Sequence, residues 1–359
     1  MLKASLSPSH ILAAILILAH GAAITVVALV GMQQWLQLLA IAALLANLAY
    51  VVMRAALLRA LNSAVALATA RVVAEKKKIL MDTGAASTRL TNEDCTRYTI
   101  HHTYDTYALA NGTGRAVVKQ GGDTWFFLTA DYAFGHSLEQ DTMNVVRENG
   151  GKVLGAVRHP LSASDFSSFL LQAQASKAKI IGLANAGGDT INSIKAANEF
   201  GLTKTQNLAG LLVFISDIHS LGLQATQGMY VTEAWYWDLN DQTRKWSKRF
   251  FDKTQKMPTM IHAGVYSATS MYLNAVKAVG TDDADVVMAW MRANKHGDMF
   301  GANMTLREDG RLVHDMYLFQ VKKPSESKGP WDYYHLRETI AAGHAFQPLS
   351  KSRCPLIRQ

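Results

Sequence analysis

From residue 62 onward the chain repeats one scheme: a short apolar run, a turn marked by glycine, then apolar residues at helical spacing. Residues 177–202 show it most clearly. Ile180, Ile181 and Leu183 run into Asn185-Ala186-Gly187-Gly188-Asp189, after which Ile191, Ile194, Ala197 and Phe200 recur at steps of three. "KKKILMD" (76–82) likewise reads as a strand running into a turn at 83–87, and "TYDTYALANGTGRAVVKQGG" (103–122) as a helix ended by a glycine pair. Residues 123–155 give a strand, a loop at 130–135, a helix, Gly150-Gly151 and the next strand; residues 159–189 do so again, and "LAGLLVFISDIHSLGL" (208–223) supplies another strand and loop. This alternation predicts a parallel α/β sheet, in which ligands collect at the carboxyl ends of the strands.

The first 61 residues follow another rule. Residues 11–30 are almost wholly apolar, broken only by His20, Gly21 and Thr25, and residues 36–53 carry only Gln37 and Asn47 as strongly polar residues. Each run approaches the roughly 20 residues that cross a bilayer as a helix, and Trp35 and Tyr50 suit the membrane interface. Two runs without a small-residue cleavage site and a polar mature start read as an α-helical transmembrane hairpin over 1–61 rather than a signal peptide.

The residues that would carry chemistry are sparse. With 359 residues, 49% of them hydrophobic, the chain is long enough for two ordinary globular units. The net charge of +8 is spread along the chain, with one tight cluster at Lys76-Lys77-Lys78 and no basic stripe interleaved with aromatics, so no nucleic-acid partner is expected. The turn at 185–189 lacks both a GK[ST] ending and a full G-x-G-x-x-G, which excludes a phosphate loop and argues against dinucleotide binding. His101 and His102 are adjacent, so on a strand they point to opposite faces and share no metal. Cys95 and Cys354 lie far apart; one long-range disulfide in an oxidising compartment and two separate thiols both fit that spacing. No catalytic residue, metal or cofactor is expected.

From residue 62 to the C-terminus the chain resembles the substrate-binding proteins of branched-chain and hydrophobic amino-acid ABC importers. The resemblance is carried by "NSAVALA" (62–68), "TYDTYALANGTGRAVVKQGG", "WFFLTADYAFGHSLE" (125–139), "DFSSFLLQAQASKAKIIGLANAGGDT" (165–190), "GLLVFISDIHSLGL" (210–223), "YWDLNDQTRKWSKRFF" (236–251), "MPTMIHAGVYSA" (257–268) and "KKPSESKGPWDYY" (322–334). It implies a two-lobed type I periplasmic binding fold, with ligand held between lobes that close on three crossing strands. Lobe one is expected to comprise 62–120 and 238–322, and lobe two 121–237 and 323–359, with crossings near Gly121-Gly122, residues 232–237 and residues 322–324.

The resemblance also assigns a ligand site. A small-residue turn after a lobe-one strand, here Gly84-Ala85-Ala86-Ser87, holds the head group through backbone amides and the Ser87 hydroxyl. Asn62 and Ser63 match a helix start whose free N–H groups favour an anion, and Tyr104 faces the cleft. Tyr132 and Phe134 match an aromatic covering loop, Asn185 and Ala186 the next loop, and Asp217 an acidic residue that meets an ammonium. Ala186 stands where tyrosine is frequent, which admits aromatic acids and other small carboxylates beside branched-chain amino acids. Pairing of Cys95 with Cys354 is expected to tie the tail to lobe one. The expected partners are a small-molecule ligand, the permease and ATPase subunits of the importer, and the membrane.

The chain departs from the family pattern at its start. The opening βα units are absent, "RAALLRAL" (54–61) runs straight into "NSAVALA", and lobe one is therefore expected to be incomplete, with an exposed sheet edge. The hairpin itself resembles a small inner-membrane toxin family in "LSPSHILAA" and its twin apolar runs. A second reading is thus a non-transporting membrane or interaction protein with a vestigial binding domain. Charge and family resemblance disagree on orientation. Lys3 precedes the hairpin while Arg54, Arg59, Arg71 and Lys76–Lys78 follow it, which places both ends in the cytoplasm by the positive-inside rule; a solute receptor works only outside. The expectation adopted is inner-membrane attachment with a periplasmic domain. An alkaline phosphatase reporter fused after Gln359 should be active, whereas an inactive reporter on a stably expressed chain would place the domain in the cytoplasm.

Overall fold

The computed structural model describes residues 62–357. The two apolar runs, and with them the expected hairpin and toxin resemblance, lie outside the described residues. Among the described residues no helix is long and apolar enough to cross a membrane.

Helix α1 (Ser63–Glu75) starts where Asn62 Oδ1 accepts the Ala64 amide at 2.8 Å, and it buries Ala66, Leu67 and Ala70 against Ala85 and Leu90. Strand β1 (Leu80–Asp82) pairs in parallel with β2 (Thr99–His101), and a single bridge from His101 to Arg311 extends the pair. The strand is shorter than "KKKILMD" because Lys76–Lys78 stay exposed in the turn that ends α1. Asp105 then caps α2 (Thr106–Leu109), which passes through a π-helical turn, Ala110–Gly114, into α3 (Arg115–Lys119). A side chain at Gly112 would overlap Thr232, so glycine is what lets this helix approach the strand that carries Thr232.

The next stretch alternates as expected: β3 (Thr124–Ala130), α4 (Ala133–Glu148), β4 (Lys152–His159), α5 (Ser167–Ala175), β5 (Ile180–Ala184), α6 (Gly188–Glu199) and β6 (Asn207–Gly210). These strands form one parallel sheet in the order β4-β3-β5-β6. The inner strands β3 and β5 are buried almost end to end, which is why they read as continuous apolar runs, whereas edge strand β4 is largely exposed. The expected loop after β6 contains a helix, α7 (Ile215–Leu221). It is too short to show helical periodicity and is set by its cap, with Asp217 Oδ2 accepting the Phe214 amide at 3.0 Å.

Beyond α8 (Leu223–Thr226) the sheets are antiparallel, a departure from the all-parallel expectation. Strand β11 (Met316–Val321) lies between β7 (Tyr230–Glu233) and β12 (Tyr334–Ile340), antiparallel to both, because the chain doubles back through residues 322–333. Helices α9 (Asp241–Thr254), α10 (Met260–Val279) and α11 (Ala284–Ala293) precede a small antiparallel sheet of β8 (Lys295–His296), β9 (Met304–Leu306) and β10 (Leu312–Val313). One apolar cluster joins Leu109, Trp125, Trp235 and Met260; a second, on Phe166, Ile181, Val231 and Phe319, fills the other side of the β3–β5 sheet.

The tail behaves differently from the range it was grouped with. From α12 (Ala342–Ala345) onward it packs on lobe-one elements: Asn111 Nδ2 donates to the His344 carbonyl and Asn92 Nδ2 to Gln347 Oε1, both at 2.8 Å. Cys95 and Cys354 are disulfide-bonded, with Cα atoms 5.6 Å apart and a sequence separation of 259. Closing so long a loop removes a large share of the unfolded chain's freedom. Reduction, or replacement of both cysteines by serine, should lower stability by about 4 kcal/mol in denaturant titrations; a change of a few tenths would refute that account.

Candidate ligand-binding site

The 84–87 turn is held by its neighbours atom by atom. The Ala85 amide donates to Asp82 Oδ1 at 3.2 Å, and the Ala86 and Ser87 amides donate to Ser63 Oγ at 3.3 and 3.1 Å. The Tyr104 hydroxyl donates to the Gly84 carbonyl and His101 Nε2 to the Ala85 carbonyl, each at 2.8 Å. Ser63, Ala85, Ala86, Ser87 and Tyr104 are therefore brought together around one turn. Their roles differ: the turn's amides are already accepted by Ser63 and Asp82, and Asn62 serves as the helix cap. The Ser87 hydroxyl is buried as well: it caps the turn of residues 88–91 by accepting the Arg89 amide at 3.4 Å, and it meets the Ser137 hydroxyl of α4 at 2.6 Å.

Burial shapes the electrostatics behind the turn. Asp82 is pushed up to about 7, mainly by desolvation, against the Ala85 and Gly84 amides and the Arg311 charge. Its Oδ2 has no hydrogen-bond partner. His101 is buried and neutral, its basicity driven down first by desolvation and then by Arg311.

On lobe two, Tyr132 and Phe134 stand at the end of β3 with ring centroids 5.7 Å apart, and Phe134 is buried while Tyr132 is half-buried. The glycine turn of residues 185–189 has Gly187 at φ 58°, a left-handed conformation that favours glycine. Asn185 turns inward: its Oδ1 accepts from Thr190 Oγ1 at 2.7 Å, and its Nδ2 lies 3.2 Å from His159 Nε2. It braces the turn, leaving half-buried Ala186 at the surface. Asp217 is raised to about 6 by burial, offset by the Phe214 amide.

Four polar residues on or beside these elements were not singled out from the sequence. Asp82, Ser137 and Glu233 are three of them, the last buried in β7; the fourth is Asp189, whose Oδ2 accepts the Ser162 amide at 3.1 Å. A carboxylate inside an apolar strand, as in "MYVTEAW", was the available signal for Glu233. Burial raises Tyr104 well above its ordinary value, and Asp82, Tyr132 and Glu233 add to the rise. A cavity of about 620 Å³ lies elsewhere, beside β6 and the start of β7 (Gln206, Asn207, Tyr230), and none of the expected site residues lines it. Among the described residues no group of three or more His, Cys, Asp or Glu gathers at metal-binding distance.

Residues 54–329 match the family described as "Periplasmic binding protein". The chain belongs to the periplasmic binding protein family. As a substrate-binding protein of the ABC-transporter class it holds a ligand and does not transform it. It is 58% identical to a periplasmic binding protein from Burkholderia mallei, over 83% of this chain and 79% of that one, with a TM-score of 0.82. It is 40% identical to a branched-chain amino-acid ABC transporter periplasmic ligand-binding protein from Burkholderia xenovorans, over 82% and 79% of the chains, with a TM-score of 0.73. A solute-binding protein of R. palustris, solved with benzoate, is 20% identical over 82% and 79% of the chains, with a TM-score of 0.71, and shares the fold. No curated protein matches the chain.

In this periplasmic binding protein, helix α4 meets residues 87–106 through hydroxyl and carboxyl contacts as well as apolar packing. Besides the Ser87–Ser137 pair, Asp141 Oδ2 of α4 accepts from Thr106 Oγ1 at 2.6 Å and Thr88 Oγ1 at 3.1 Å. Burial, the largest cause, lifts Asp141 to about 6 from its ordinary 3.8. A carboxyl whose folded value is raised contributes stability at low pH and loses it as pH rises toward that value. Between pH 4 and 6 this loss is at most about 1.4 kcal/mol per pH unit. The melting-temperature advantage of wild type over Asp141→Asn should therefore shrink from pH 4.5 to about 6 and level off above that; an advantage that grows with pH would refute this assignment.

Proposed function

We propose that this protein is the solute receptor of an ABC importer for branched-chain or other hydrophobic amino acids and related small carboxylates, bound between the lobes. The observation that carries this reading is the small-residue turn 84–87, held by the Tyr104 hydroxyl at Gly84 and meeting α4 through the Ser87–Ser137 hydroxyl pair. On opening, the facing Ser87 and Ser137 hydroxyls would exchange each other for a ligand carboxylate, while Asp217 supplies the acidic side. Tyr132 and Phe134 give the aromatic cover, and the small Ala186 leaves width for a branched or aromatic side chain. The 40%-identical relative described as a branched-chain amino-acid ligand-binding protein supports the same class. Lobe one comprises 62–120 and 238–322 in this reading, and lobe two 121–237 with the chain from 323 to the end of β12. A permease and an ATPase complete the importer, and the domain works on the periplasmic side, attached to the inner membrane by residues 1–61.

Thermal shift on the full chain tests the reading. Leucine, isoleucine, valine, phenylalanine and benzoate are assayed singly. At least one should stabilise the native state, by about 2.7 kcal/mol at a hundredfold excess over its dissociation constant. Ser87→Ala and Asp217→Asn should weaken that shift without lowering the ligand-free melting temperature by more than a few degrees. A flat response to every ligand would exclude the receptor reading.

A further inference from the structure

The parallel sheet β4-β3-β5-β6 has a recess at each end. The turns that carry Tyr132, Ala186 and Asp217 follow the carboxyl ends of β3, β5 and β6, whereas the cavity of about 620 Å³ lies at the amino ends of the same strands. Gly121-Gly122 before β3, Lys179 before β5 and Asn207 at the start of β6 all line it. Gln224 of α8 and Tyr230 at the start of β7 line it from the next segment of chain. Strand β5 is five residues long, so at about 3.3 Å per residue the recess stands well apart from the Ala186 turn. Its volume falls within the roughly 300–1,000 Å³ of small-molecule sites.

The wall of this recess is polar without offering a charge. Seven of its lining side chains are carboxamides and none is a carboxylate. Lys179 is the one charged lining residue, and its Nζ is engaged by Asp123 at 2.9 Å and by the Gly121 carbonyl at 3.3 Å. Gln120, Asn207 and Gln224 are exposed on the wall, and no side-chain hydrogen bond within the described residues engages their amides. Gln206 is different, being only 4% exposed. Its Nε2 donates to the Ala173 and Ala178 carbonyls at 3.1 and 2.8 Å, which fixes the amide and leaves Oε1 buried without a partner. Val117, Ile180 and the half-buried Tyr230 ring supply apolar surface between these groups.

We propose that this recess is a second binding site, taking a neutral hydroxyl-rich molecule of the sugar or cyclic-polyol class. A carboxamide carries both donors and an acceptor, so it pairs with a hydroxyl in either sense. Several carboxamides around one recess therefore match a molecule that presents hydroxyls on several sides. An ionic ligand finds no unpaired countercharge among the lining residues, and a charge desolvated without a partner is costly. The apolar surface of Val117, Ile180 and Tyr230 suits the C–H faces of a saturated ring. The two ends of the sheet thus differ in chemistry: the turns after β3, β5 and β6 carry buried carboxyls such as Asp217, while the amino ends carry free amides. A ligand of one site does not compete for the other, and this second site stands whether or not the receptor reading holds.

Saturation-transfer NMR and isothermal titration on the full chain test this with glucose, maltose and myo-inositol, and with glucuronate and glucosamine as charged counterparts of glucose. At least one neutral probe should bind saturably, and wherever glucose binds, its charged counterparts should bind about tenfold more weakly. The double variant Asn207→Ala, Gln224→Ala should weaken the neutral probe about tenfold, as the loss of two hydrogen bonds implies. Both positions are exposed, so the ligand-free melting temperature should stay within about 2 °C of wild type. Ala225→Trp, which fills the recess from another exposed lining position, should abolish binding. Absence of saturable binding by every neutral probe, tighter binding of a charged counterpart, or unchanged affinity in both variants would each overturn the assignment, the last by locating the sugar elsewhere on the molecule.

Discussion

The Arg311 guanidinium is the interaction on which lobe one depends. It is fully buried, and a buried charge is costly unless every direction around it is filled. Asp105 supplies the counter-charge at 3.5 Å, the His102 and Leu312 carbonyls accept its N–H groups, and the Phe346 ring lies 4.2 Å below its plane. Those four partners come from the end of β2, the start of α2, β10 and the C-terminal tail. None of them alone compensates the charge, so the lobe gains little until all are in place. Even so, burial lowers Arg311 only to about 10, and it stays charged at neutral pH. One step further on, its field reaches Asp82 and His101, the two side chains that clamp Ala85 in the ligand turn. The tail is tied to the same region by the Cys95–Cys354 bond, so the covalent and electrostatic constraints act on one corner of the molecule.

A receptor must open as well as hold, and the contacts between the lobes are of a kind that allows it. Helices α2 and α3 approach the crossing strand β7 closely through Gly112, which gives the lobes a fixed pivot. Away from that pivot the closing contacts are hydroxyl to hydroxyl or hydroxyl to carboxyl: Ser87 with Ser137, and Thr88 and Thr106 with Asp141. Each such bond contributes only about 1 kcal/mol net, because water replaces it when the cleft opens. Ligand groups replace it just as readily. Rigidity thus sits in the buried cores and exchangeability at the interface, a division typical of hinged domain closure.

How far the sequence was readable depends on where each signal came from. Strands β3 and β5 and helices α4 and α6 were legible because apolar runs and helical spacing within some 30 residues specify them. Helix α7 was not, since seven residues carry too little periodicity and a cap, not a pattern, defines it. The antiparallel β7–β11–β12 sheet was hidden for a different reason: strand direction depends on how residues 322–333 fold back, and nothing local in β11 encodes it. Resemblance alone named Ser63, Ala85–Ser87, Tyr104, Tyr132 and Asp217 as site candidates, and it said nothing of their hydrogen bonds.

By itself the sequence determined the α/β alternation, the glycine turns at strand ends and the residue types available to the cleft, because these are properties of neighbouring residues. Tertiary structure alone decided which donors remain available to a ligand. Ser63 takes the amides of the 84–87 turn, Thr190 turns Asn185 inward, Tyr334 and Ile215 satisfy the buried Glu233, and the tail closes over Arg311. Most of these pairings join atoms tens to hundreds of residues apart, and whether a buried polar group is free or satisfied is settled only when the distant partner arrives.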